Sequence, residues 1–453
     1  MSDTTITPPL NPDLVVAKFG GTSVANAAQL RKVQNIIEAD ARRRVIVPSA
    51  PGKEHSKDTK VTDLLYLTHE LAANQQSIDG VWSNIEKRFW GIVTDLGIRC
   101  DLQPHLDAAR DAIVAGADAQ FAASRGEALN GRIVACLLDA EYIDAAEVIR
   151  FTNNKRLDSE TYTLLAQRIG GNGRYVLPGF YGANAHGEVQ TFSRGGSDVS
   201  GAIAAAALCA SVYENWTDVS GLLMADPRVV PHAMTIPEIT YRELRELSYM
   251  GASVLHEEAV FPVRSRAIPI HIRNTNKPDD EGTRIVADRT PGPYLITGIA
   301  GRAGFTVIFI EKALMNKELG FGRRVLDVFE RLGINYEHSP SGIDTLSIVV
   351  SDEELGNHLE QVLEDLQGAV HPDRLDVYPG MAMIATVGMG MNRQIGTAAR
   401  LFNALASSGV NVRMIDQGSS EQNIIIGVEE ADLAMGIKAI YNAFTPEDYP
   451  GIL

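Results

Sequence analysis

The stretch VVAKFGGTSV, residues 15–24, places a lysine at the end of an apolar run and directly before two glycines and two hydroxyl residues. The apolar run is typical of a buried strand, and a helical pattern begins a few residues further on. Glycines let a ligand approach the backbone, hydroxyl residues can cap the helix, and free N–H groups at a helix start favour a phosphate. The stretch therefore predicts a phosphate site, with a solvent-exposed lysine on an edge strand as the alternative; its residues are Lys18, Gly20, Gly21, Thr22 and Ser23.

Length and charge restrict the classes of function. A chain of 453 residues exceeds one hydrophobic core, so we expect roughly two to four domains. The net charge of -16 argues against nucleic acid and against an anionic membrane as partners. Since the sequence shows neither a secretion signal nor a run of about 18 apolar residues, we expect a cytoplasmic protein.

Cysteine and histidine patterns give no sign of a metal site. Cys100, Cys136 and Cys209 are far apart in sequence and form no CxxC pair, so we expect neither a disulfide framework nor a thiolate zinc site. No HExxH motif is present among the ten histidines. The P-loop and the protein-kinase HRD and DFG motifs are also missing from the sequence, so a phosphate-binding enzyme would need another scaffold.

The chain divides into an α/β part and a repeated part. Residues 14–50 follow the order strand, helix, strand, which predicts parallel strands with crossover helices, and residues 53–60 form a polar, lysine-rich loop. The segment 276–293 is rich in proline, glycine and charge, as at a domain boundary. Residues 1–13 are expected to be a flexible tail.

Beyond that boundary the sequence repeats itself. Residues 333–354 align with residues 409–430, with six identities at a constant offset of 76 residues. Each copy follows a helical pattern and has the order of a small split βαβ sandwich. Such a tandem pair indicates a ligand sensor or a dimerisation platform, and simple structural support is the alternative.

A second constellation lies in FSRGGSDVSGAIAAAAL, residues 192–208. Arg194, two glycines, Ser197 and Asp198 precede a helix of small residues, so a forked cation and exposed amides meet at one helix start. The alternative is an arginine that caps a strand end.

Five further residues carry weaker signals. Thr217, Asp218 and Arg228 could hold a nucleotide, although threonine and aspartate also cap helices. Ser49 lies in a small-residue turn after a strand. Glu127 lies in a long helical pattern, where a solvated helix face is the default interpretation unless the fold brings it near Arg194.

Taken together, the segments KFGGTSV, SRGGSD, WTDVSG with ADPR, and YRELRELSYMGASVLH resemble the aspartate kinase family. The resemblance implies an amino-acid kinase fold, a mainly parallel sheet with helices on both faces, over residues 14–292. It further implies two ferredoxin-like βαββαβ ACT domains, at 297–371 and 380–453, with a strand at 295–300 that completes the second.

The resemblance also implies roles for single residues. Lys18 neutralises charge on the transferring phosphoryl group and Asp198 holds that lysine. Arg194 binds the α-carboxylate of aspartate and Glu127 faces its α-amino group, and the amino acid is bordered by Thr62, Phe180 and Ser197. The nucleotide side comprises Gly20, Gly21, Thr22, Ser23, Ser49, Thr217, Asp218, Leu223, Arg228 and Ser253.

Two of these positions depart from the family pattern. Leu223 stands where many members have a tyrosine near the adenine, and Ser253 stands where many have a lysine that reaches the phosphates of ATP. Loss of that cation implies weaker ATP binding or its replacement by a lysine of the 53–60 loop.

The activity implied is transfer of the γ-phosphoryl group of ATP, with Mg²⁺, to the β-carboxylate of L-aspartate. This is the first step of lysine, threonine and methionine synthesis through the diaminopimelate pathway. Other kinases of the same fold, for glutamate or a nucleoside monophosphate, and a catalytically weak amino-acid sensor are the alternatives.

The ACT-like repeats imply a homodimer or a dimer of dimers, regulated by an amino acid. Lysine is the first choice of effector because Glu337 is acidic, and threonine is the alternative. The expected effector site lies between two chains and comprises Met315, Gly320, Gly322, Asn335, Tyr336 and Glu337; a solvated Glu337 is the opposing interpretation.

Overall fold

A computed structural model describes residues 9–55, 57–193, 195–251, 255 and 257–445. Within them the chain separates into two compact units. The first comprises residues up to 222 together with 235–241 and 254–289, and the second comprises 223–234, 242–253 and 290 onward. The segments 223–234 and 242–253, which the sequence assigned to the kinase part, therefore group with the C-terminal unit.

The strands of the first unit build an eight-stranded sheet and a small three-stranded sheet. They are β1 (Asn11–Phe19), β2 (Arg43–Pro48), β3 (Glu141–Tyr142), β4 (Arg150–Phe151), β5 (Tyr175–Val176), β6 (Tyr181–Asn184), β7 (Val189–Thr191), β8 (Ala210–Thr217), β9 (Glu238–Thr240), β10 (Ile270–Asn274) and β11 (Thr283–Val286). β1 begins at Asn11, inside the expected tail, because its first residue pairs with Ala210 at the start of β8.

The helices between these strands vary in length from four to twenty residues. They are α1 (Ala27–Ala39), α2 (Val61–Ala73), α3 (Asp79–Leu96), α4 (Gln103–Val114), α5 (Ala119–Leu138), α6 (Ala145–Val148), α7 (Glu160–Arg168), α8 (Gly196–Ala207), α9 (Tyr241–Tyr249) and α10 (Val260–Arg264). All but the first residue of α9 group with the second unit. Among the described helices, none is both long and apolar enough to cross a membrane.

The large sheet is mostly parallel, with the order β3-β5-β2-β1-β8-β10-β11-β9. In the part of the chain that the structure describes, β10 and β11 form its one antiparallel pair. Residues 14–19 of the central strand β1 are buried without alternation, which is typical of a strand that is covered on both faces. The expected α/β fold with a mainly parallel sheet is confirmed.

An ion-pair network lies beneath the centre of this sheet. Arg43 of β2 binds Glu214 of β8 through two hydrogen bonds of 2.8 and 3.1 Å, and Trp216 Nε1 donates to the same carboxylate at 2.8 Å. Arg273 of β10 stacks on the Trp216 ring and lies 3.6 Å from Glu214. Glu214 thus joins three strands, and both it and Arg43 are almost fully buried.

The second unit contains one antiparallel sheet with the order β13-β12-β14-β16-β15. Its elements are β12 (Gly298–Glu311), α11 (Phe321–Leu332), β13 (Thr345–Ser351), α12 (Asp352–Leu355), α13 (Leu359–Val370), β14 (Arg374–Val387), α14 (Thr397–Ser407), β15 (Met414–Asp416), β16 (Asn423–Glu429) and α15 (Leu433–Phe444). β14 runs unbroken across the boundary expected between the two repeats.

The two long strands serve both repeats. Residues 298–303 of β12 pair with residues 382–387 of β14, which in turn pair with β16. Residues 305–311 of β12 pair with β13 on one side and with residues 374–381 of β14 on the other. The strand expected at 295–300 for the second repeat has its counterpart in the first half of β12.

The repeat offset differs between elements. The helices α11 and α14 begin 76 residues apart, whereas the strands β13 and β16 begin 78 residues apart. The constant offset expected from the sequence is therefore wrong for the strands. A shift by two residues keeps every side chain on the same face of the sheet, which explains why the aligned pattern still looks regular.

We predict that Glu214→Ala lowers the free energy of unfolding by about 3 to 5 kcal/mol, because it leaves the Arg43 guanidinium buried without its carboxylate. Urea unfolding followed by circular dichroism measures the change. Arg110→Ala serves as a control because it removes an ion pair with Asp79 that lies in solvent, and it should cost less than about 1 kcal/mol. Equal losses for the two variants would contradict the prediction.

Candidate active site

Lys18 lies near the end of β1 and points its ammonium at the start of α8. Nζ is 2.6 Å from Oδ1 of Asp198 and 3.4 Å from Oδ1 of Asn215 on β8. Asn215 also donates from Nδ2 to Asp198 at 3.0 Å. All three residues are less than 10% exposed, so the alternative of an edge lysine in water is wrong.

The sheet register explains this triangle. Lys18 pairs with Asn215 across β1 and β8, so both side chains extend from the same face of the sheet. The next pair, Phe19 and Trp216, stacks on the opposite face. Asp198 approaches from the first turn of α8, where the helix dipole favours a carboxylate. The backbone of the sheet thus separates the polar site on one face from the ion-pair network on the other.

A pocket of about 840 Å³ opens beside the ammonium. Of the predicted residues it is lined by Lys18, Gly20, Gly21, Ser49, Thr62, Glu127, Phe180, Ser197 and Asp198. The fold thus brings most of the predicted phosphate side and amino-acid side together in one cavity.

The glycine turn holds its shape through close backbone contacts. Gly52 N donates to Gly21 O at 2.9 Å, and a Cβ atom at Gly52 would lie 2.6 Å from the carbonyl carbon of Gly21. Two loops that both border the pocket are therefore packed backbone to backbone, which a side chain would prevent.

Glu127 is buried in α5 with one oxygen unpaired. The N–H of Ala50 donates to its carboxylate, yet Oε2 has no hydrogen-bond partner among the described residues. Burial outweighs that hydrogen bond and raises the pKa of Glu127 to about 8. The default interpretation, a glutamate on a solvated helix face, is wrong: Gly126 lets α5 pack against Ala50, since a Cβ there would lie 2.9 Å from that of Ala50.

Phe180 holds an unusual backbone conformation at the pocket wall. Its φ is +77°, in the left-handed region, and its N–H donates to Ser200 Oγ of α8 at 3.0 Å. Such a conformation costs of order 1 kcal/mol or more for a residue with a side chain. No sequence pattern predicted this conformation.

Two hydroxyl residues of the opening stretch take a different role. Thr22 and Ser23 are not among the described residues that line the pocket, and Ser23 Oγ accepts a hydrogen bond of 2.8 Å from Thr275. The helix α1 is capped instead by Asn26, whose Oδ1 accepts from Gln29 N at 3.0 Å. The capping role expected for Thr22 and Ser23 is therefore wrong, because the chain first forms a 3-10 turn over Gly21–Val24.

The predicted nucleotide residues do not gather in this pocket. Thr217 is the last residue of β8 and Asp218 follows it. Neither is among the described residues that line the pocket, and Thr217 Oγ1 donates to Asp218 Oδ1 at 3.2 Å. Leu223 and Arg228 belong to the segment that groups with the second unit, where the exposed Arg228 pairs with Asp226 at 2.6 Å. Arg194 and Ser253 lie outside the described residues.

The sequence did not indicate several lining residues, among them Asp63, Tyr66 and Thr191. Tyr66 stands one helical turn after the predicted Thr62 on α2, so the spacing of four residues was a usable signal. Burial, followed by the charge of Glu127, raises the pKa of Tyr66 above its ordinary value. Lys60 also lines the pocket, and the sequence had indicated it only as one of the three lysines of the 53–60 loop.

The predicted effector residues lie in the second unit. Glu337 accepts a hydrogen bond from Tyr249 Oη, lies 3.7 Å from Arg302 and has a side chain only 9% exposed. Burial and the hydrogen bond to Glu337 raise the pKa of Tyr249 to about 12. The interpretation of Glu337 as a solvated residue is wrong.

The other predicted effector residues surround this stretch of chain. Met315 is buried in a short 3-10 turn, and Gly320 precedes α11 with φ of +75°. Gly322 lies in the first turn of α11, Asn335 N donates to Glu354 Oε2 at 3.4 Å, and Tyr336 is 43% exposed.

Comparison with known proteins places the chain among enzymes. A model of the amino acid kinase family matches residues 13–274, and a model of the ACT domain matches residues 384–444. The chain is similar to Aspartokinase 3 of Bacillus subtilis, with 39% identity over 95% of this chain and 98% of that protein.

Solved structures agree with the sequence comparison. The crystal structure of aspartate kinase from Clostridium acetobutylicum, an allosteric enzyme, has a TM-score of 0.88 with 49% identity, over 95% of this chain and all of that one. Aspartokinase III of E. coli, in complex with aspartate and ADP, has a TM-score of 0.71 with 25% identity, over 95% of this chain and 99% of that one.

We predict that Gly52→Ala lowers the free energy of unfolding by about 1 to 3 kcal/mol, because its Cβ has to displace the backbone at Gly21. Thermal unfolding measures the loss. Gly80→Ala is the matched control: it lies in α3 with open space around its Cβ, and alanine should be neutral or slightly stabilising there. A Gly52→Ala protein as stable as the Gly80→Ala protein would refute the close contact.

Proposed function

The chain belongs to the amino acid kinase family, as an aspartate kinase, and we propose that the pocket beside Lys18 brings aspartate and the γ-phosphate of ATP together. The proposal rests on two groups that line the same pocket. One is the Lys18 ammonium, held by Asp198, and the other is the buried carboxyl group of Glu127, whose Oε2 has no hydrogen-bond partner among the described residues.

The reaction requires alignment more than acid–base chemistry. The β-carboxylate of aspartate is ionised at neutral pH, so its oxygen attacks the γ-phosphorus without a general base. An acyl phosphate bond forms, the bond from phosphorus to the β,γ-bridging oxygen breaks, and ADP leaves. The protein has to hold two anions in line and stabilise charge on the phosphoryl oxygens.

We assign to Lys18 the stabilisation of the charge on the phosphoryl oxygens. Its contacts with Asp198 and Asn215 fix the ammonium in one position without surrounding it, because it still borders the pocket. Asp198 is a positioning residue in this assignment. The adjacent turn adds backbone at Gly20, Gly21 and Ser49, and the start of α8 adds the positive end of a helix dipole.

Glu127 is assigned to the α-ammonium of aspartate. An unpaired carboxylate oxygen in a cavity is costly unless a cation or a proton satisfies it. Thr62, Phe180 and Ser197 border the same space. We assign the α-carboxylate to Arg194, whose two neighbours Ser193 and Gly195 both line the pocket.

For the nucleotide we retain Thr217, Asp218, Leu223, Arg228 and Ser253 as proposed contacts. Lys60 is the loop lysine that we propose in place of the cation missing at Ser253, since it lines the pocket. An amino group there would meet the phosphates as a point charge.

Mg²⁺ enters this proposal with the nucleotide. In the described residues no group of three or more His, Cys, Asp or Glu side chains could hold a metal ion, and Asp198 is occupied by Lys18 and Asn215. The residues of the pocket therefore fit an ion that keeps most of its water ligands and binds mainly to the phosphates of ATP, as Mg²⁺ commonly does. When bound, the ion would supply further positive charge to the phosphoryl oxygens.

We predict that Lys18→Ala lowers kcat by about 100-fold or more and changes the aspartate KM little, because the charge acts on the transferring group. A coupled assay of ADP release with aspartate, with glutamate and without an acceptor gives both constants. It also tests the alternatives, since activity on glutamate or without an acceptor would favour another kinase or a weak sensor. Lys32→Ala, at an exposed lysine of α1, is the control. Near-normal kcat in a folded Lys18→Ala protein would overturn the assignment.

We predict that the aspartate KM falls about eightfold between pH 6.5 and 7.5. Glu127 is protonated below its pKa of about 8 in the free protein, whereas a bound ammonium favours the carboxylate, so binding releases a proton and improves as pH rises. Glu127→Gln should raise the KM and abolish this dependence. Glu70→Gln, an exposed carboxylate on α2, should keep it. A flat wild-type profile would show that Glu127 does not meet the ammonium.

For regulation we propose an effector amino acid bound beside Glu337, at an interface between two copies of the chain, with lysine as the first choice and threonine as the second. Support comes from a mostly buried carboxylate that accepts a hydrogen bond from Tyr249 and lies 3.7 Å from Arg302. A basic effector would compete with Arg302 for that carboxylate.

We predict that Glu337→Ala shifts the inhibition curve to higher lysine, by about 5-fold to 100-fold, and leaves the uninhibited rate within about twofold. Titration of lysine, threonine and methionine at fixed aspartate measures this shift. Glu353→Ala removes an exposed carboxylate of α12 and serves as the control. If no amino acid inhibits the wild type, or the Glu337→Ala curve does not move, the proposed site is wrong.

A further inference from the structure

Two cysteines that are distant in the sequence meet in the first unit. Cys100 lies in the connection between α3 and α4, and Cys136 lies in the last turn of α5. They are 36 residues apart in the chain, yet their Sγ atoms are 2.8 Å apart. The third cysteine, Cys209, is elsewhere and accepts a hydrogen bond of 3.2 Å from Arg266.

We propose that Cys100 and Cys136 form a reversible disulfide site, oxidised by low-molecular-weight disulfides. A disulfide bond is about 2.0 Å long, so the sulfur atoms have to approach by less than about 1 Å. Neither residue is among the described residues that line the pocket beside Lys18. The site is therefore separate from the proposed reaction and does not depend on it.

The two thiols differ in access. Cys136 is exposed, whereas Cys100 is half-buried and its sulfur also lies 3.8 Å from the carbonyl oxygen of Arg132. Burial, followed by the neighbouring Cys136, raises the pKa of Cys100 to about 12. Cys136 is therefore the thiol that an external disulfide reaches first, and Cys100 is the thiol that completes the bond.

The exchange balances without a further reagent. The Cys136 thiolate attacks one sulfur of oxidised glutathione, forms a mixed disulfide and releases one glutathione thiolate. Cys100 then loses its proton and attacks Sγ of Cys136, which releases the second glutathione thiolate. The protein loses two electrons and two protons, and the oxidant becomes two glutathione thiols.

The bond would fix one end of α5, the helix that carries Glu127. It would join that end to the α3–α4 connection and close a loop of the chain, which restricts the unfolded state. The oxidised protein should therefore resist unfolding more strongly. Its activity should persist, because neither cysteine lines the pocket beside Lys18.

The test treats the full chain with oxidised glutathione at pH 8 and follows free thiols, peptide masses without reductant, and thermal unfolding. The wild type should fall from three free thiols to one, yield one peptide pair that links residues 100 and 136, and unfold about 5 to 10 °C higher. Dithiothreitol should reverse all three changes.

Single variants separate the steps. Cys209→Ser should still form the link, which excludes pairing through Cys209. Cys100→Ser should stop at a glutathione adduct on Cys136, with no rise in unfolding temperature. The proposal is overturned if the wild type keeps three thiols, if it carries glutathione adducts without the link, or if the link leaves thermal unfolding unchanged.

Discussion

The contact between Lys18 and Asp198 is the interaction on which the pocket depends. An ammonium and a carboxylate that are both almost fully buried are costly to desolvate, and only close contact and further hydrogen bonds offset that cost. Asn215 supplies the further hydrogen bonds to both groups. A strand end, a helix start and a neighbouring strand must therefore coincide, which fixes β1, α8 and β8 relative to one another.

The alternation of side chains along β8 lets one strand support two charged networks. Asn215 faces the Lys18 side of the sheet, while Glu214 and Trp216 face the opposite side with Arg43 and Arg273. Each network satisfies its own buried charges. A shift of one residue in the β8 register would exchange the two faces and leave both networks unpaired, so the polar residues specify the register as firmly as the apolar ones.

The sequence predicted the α/β class, the tandem repeats and the polar turn at Lys18, because these depend on local patterns and on a family resemblance. It could not predict which residues become neighbours through packing. The burial of Glu127 depends on Gly126 and Ala50, the contact of Cys100 with Cys136 depends on how α5 lies along the α3–α4 connection, and the cap at Asn26 depends on a 3-10 turn. Glu337 likewise contacts Arg302 and Tyr249, which lie 35 and 88 positions earlier in the chain.

The division of β12 between the two C-terminal repeats has a consequence for how the unit is connected. The strand 298–303 pairs with the second repeat, the first repeat follows, and the remainder of the second repeat comes last. The first repeat is thus an insertion within the second, although in the sequence the two repeats follow one another. A C-terminal fragment that begins after the first repeat would contain the second repeat without the strand 298–303. The backbone hydrogen-bonding groups of residues 382–387 would then be exposed.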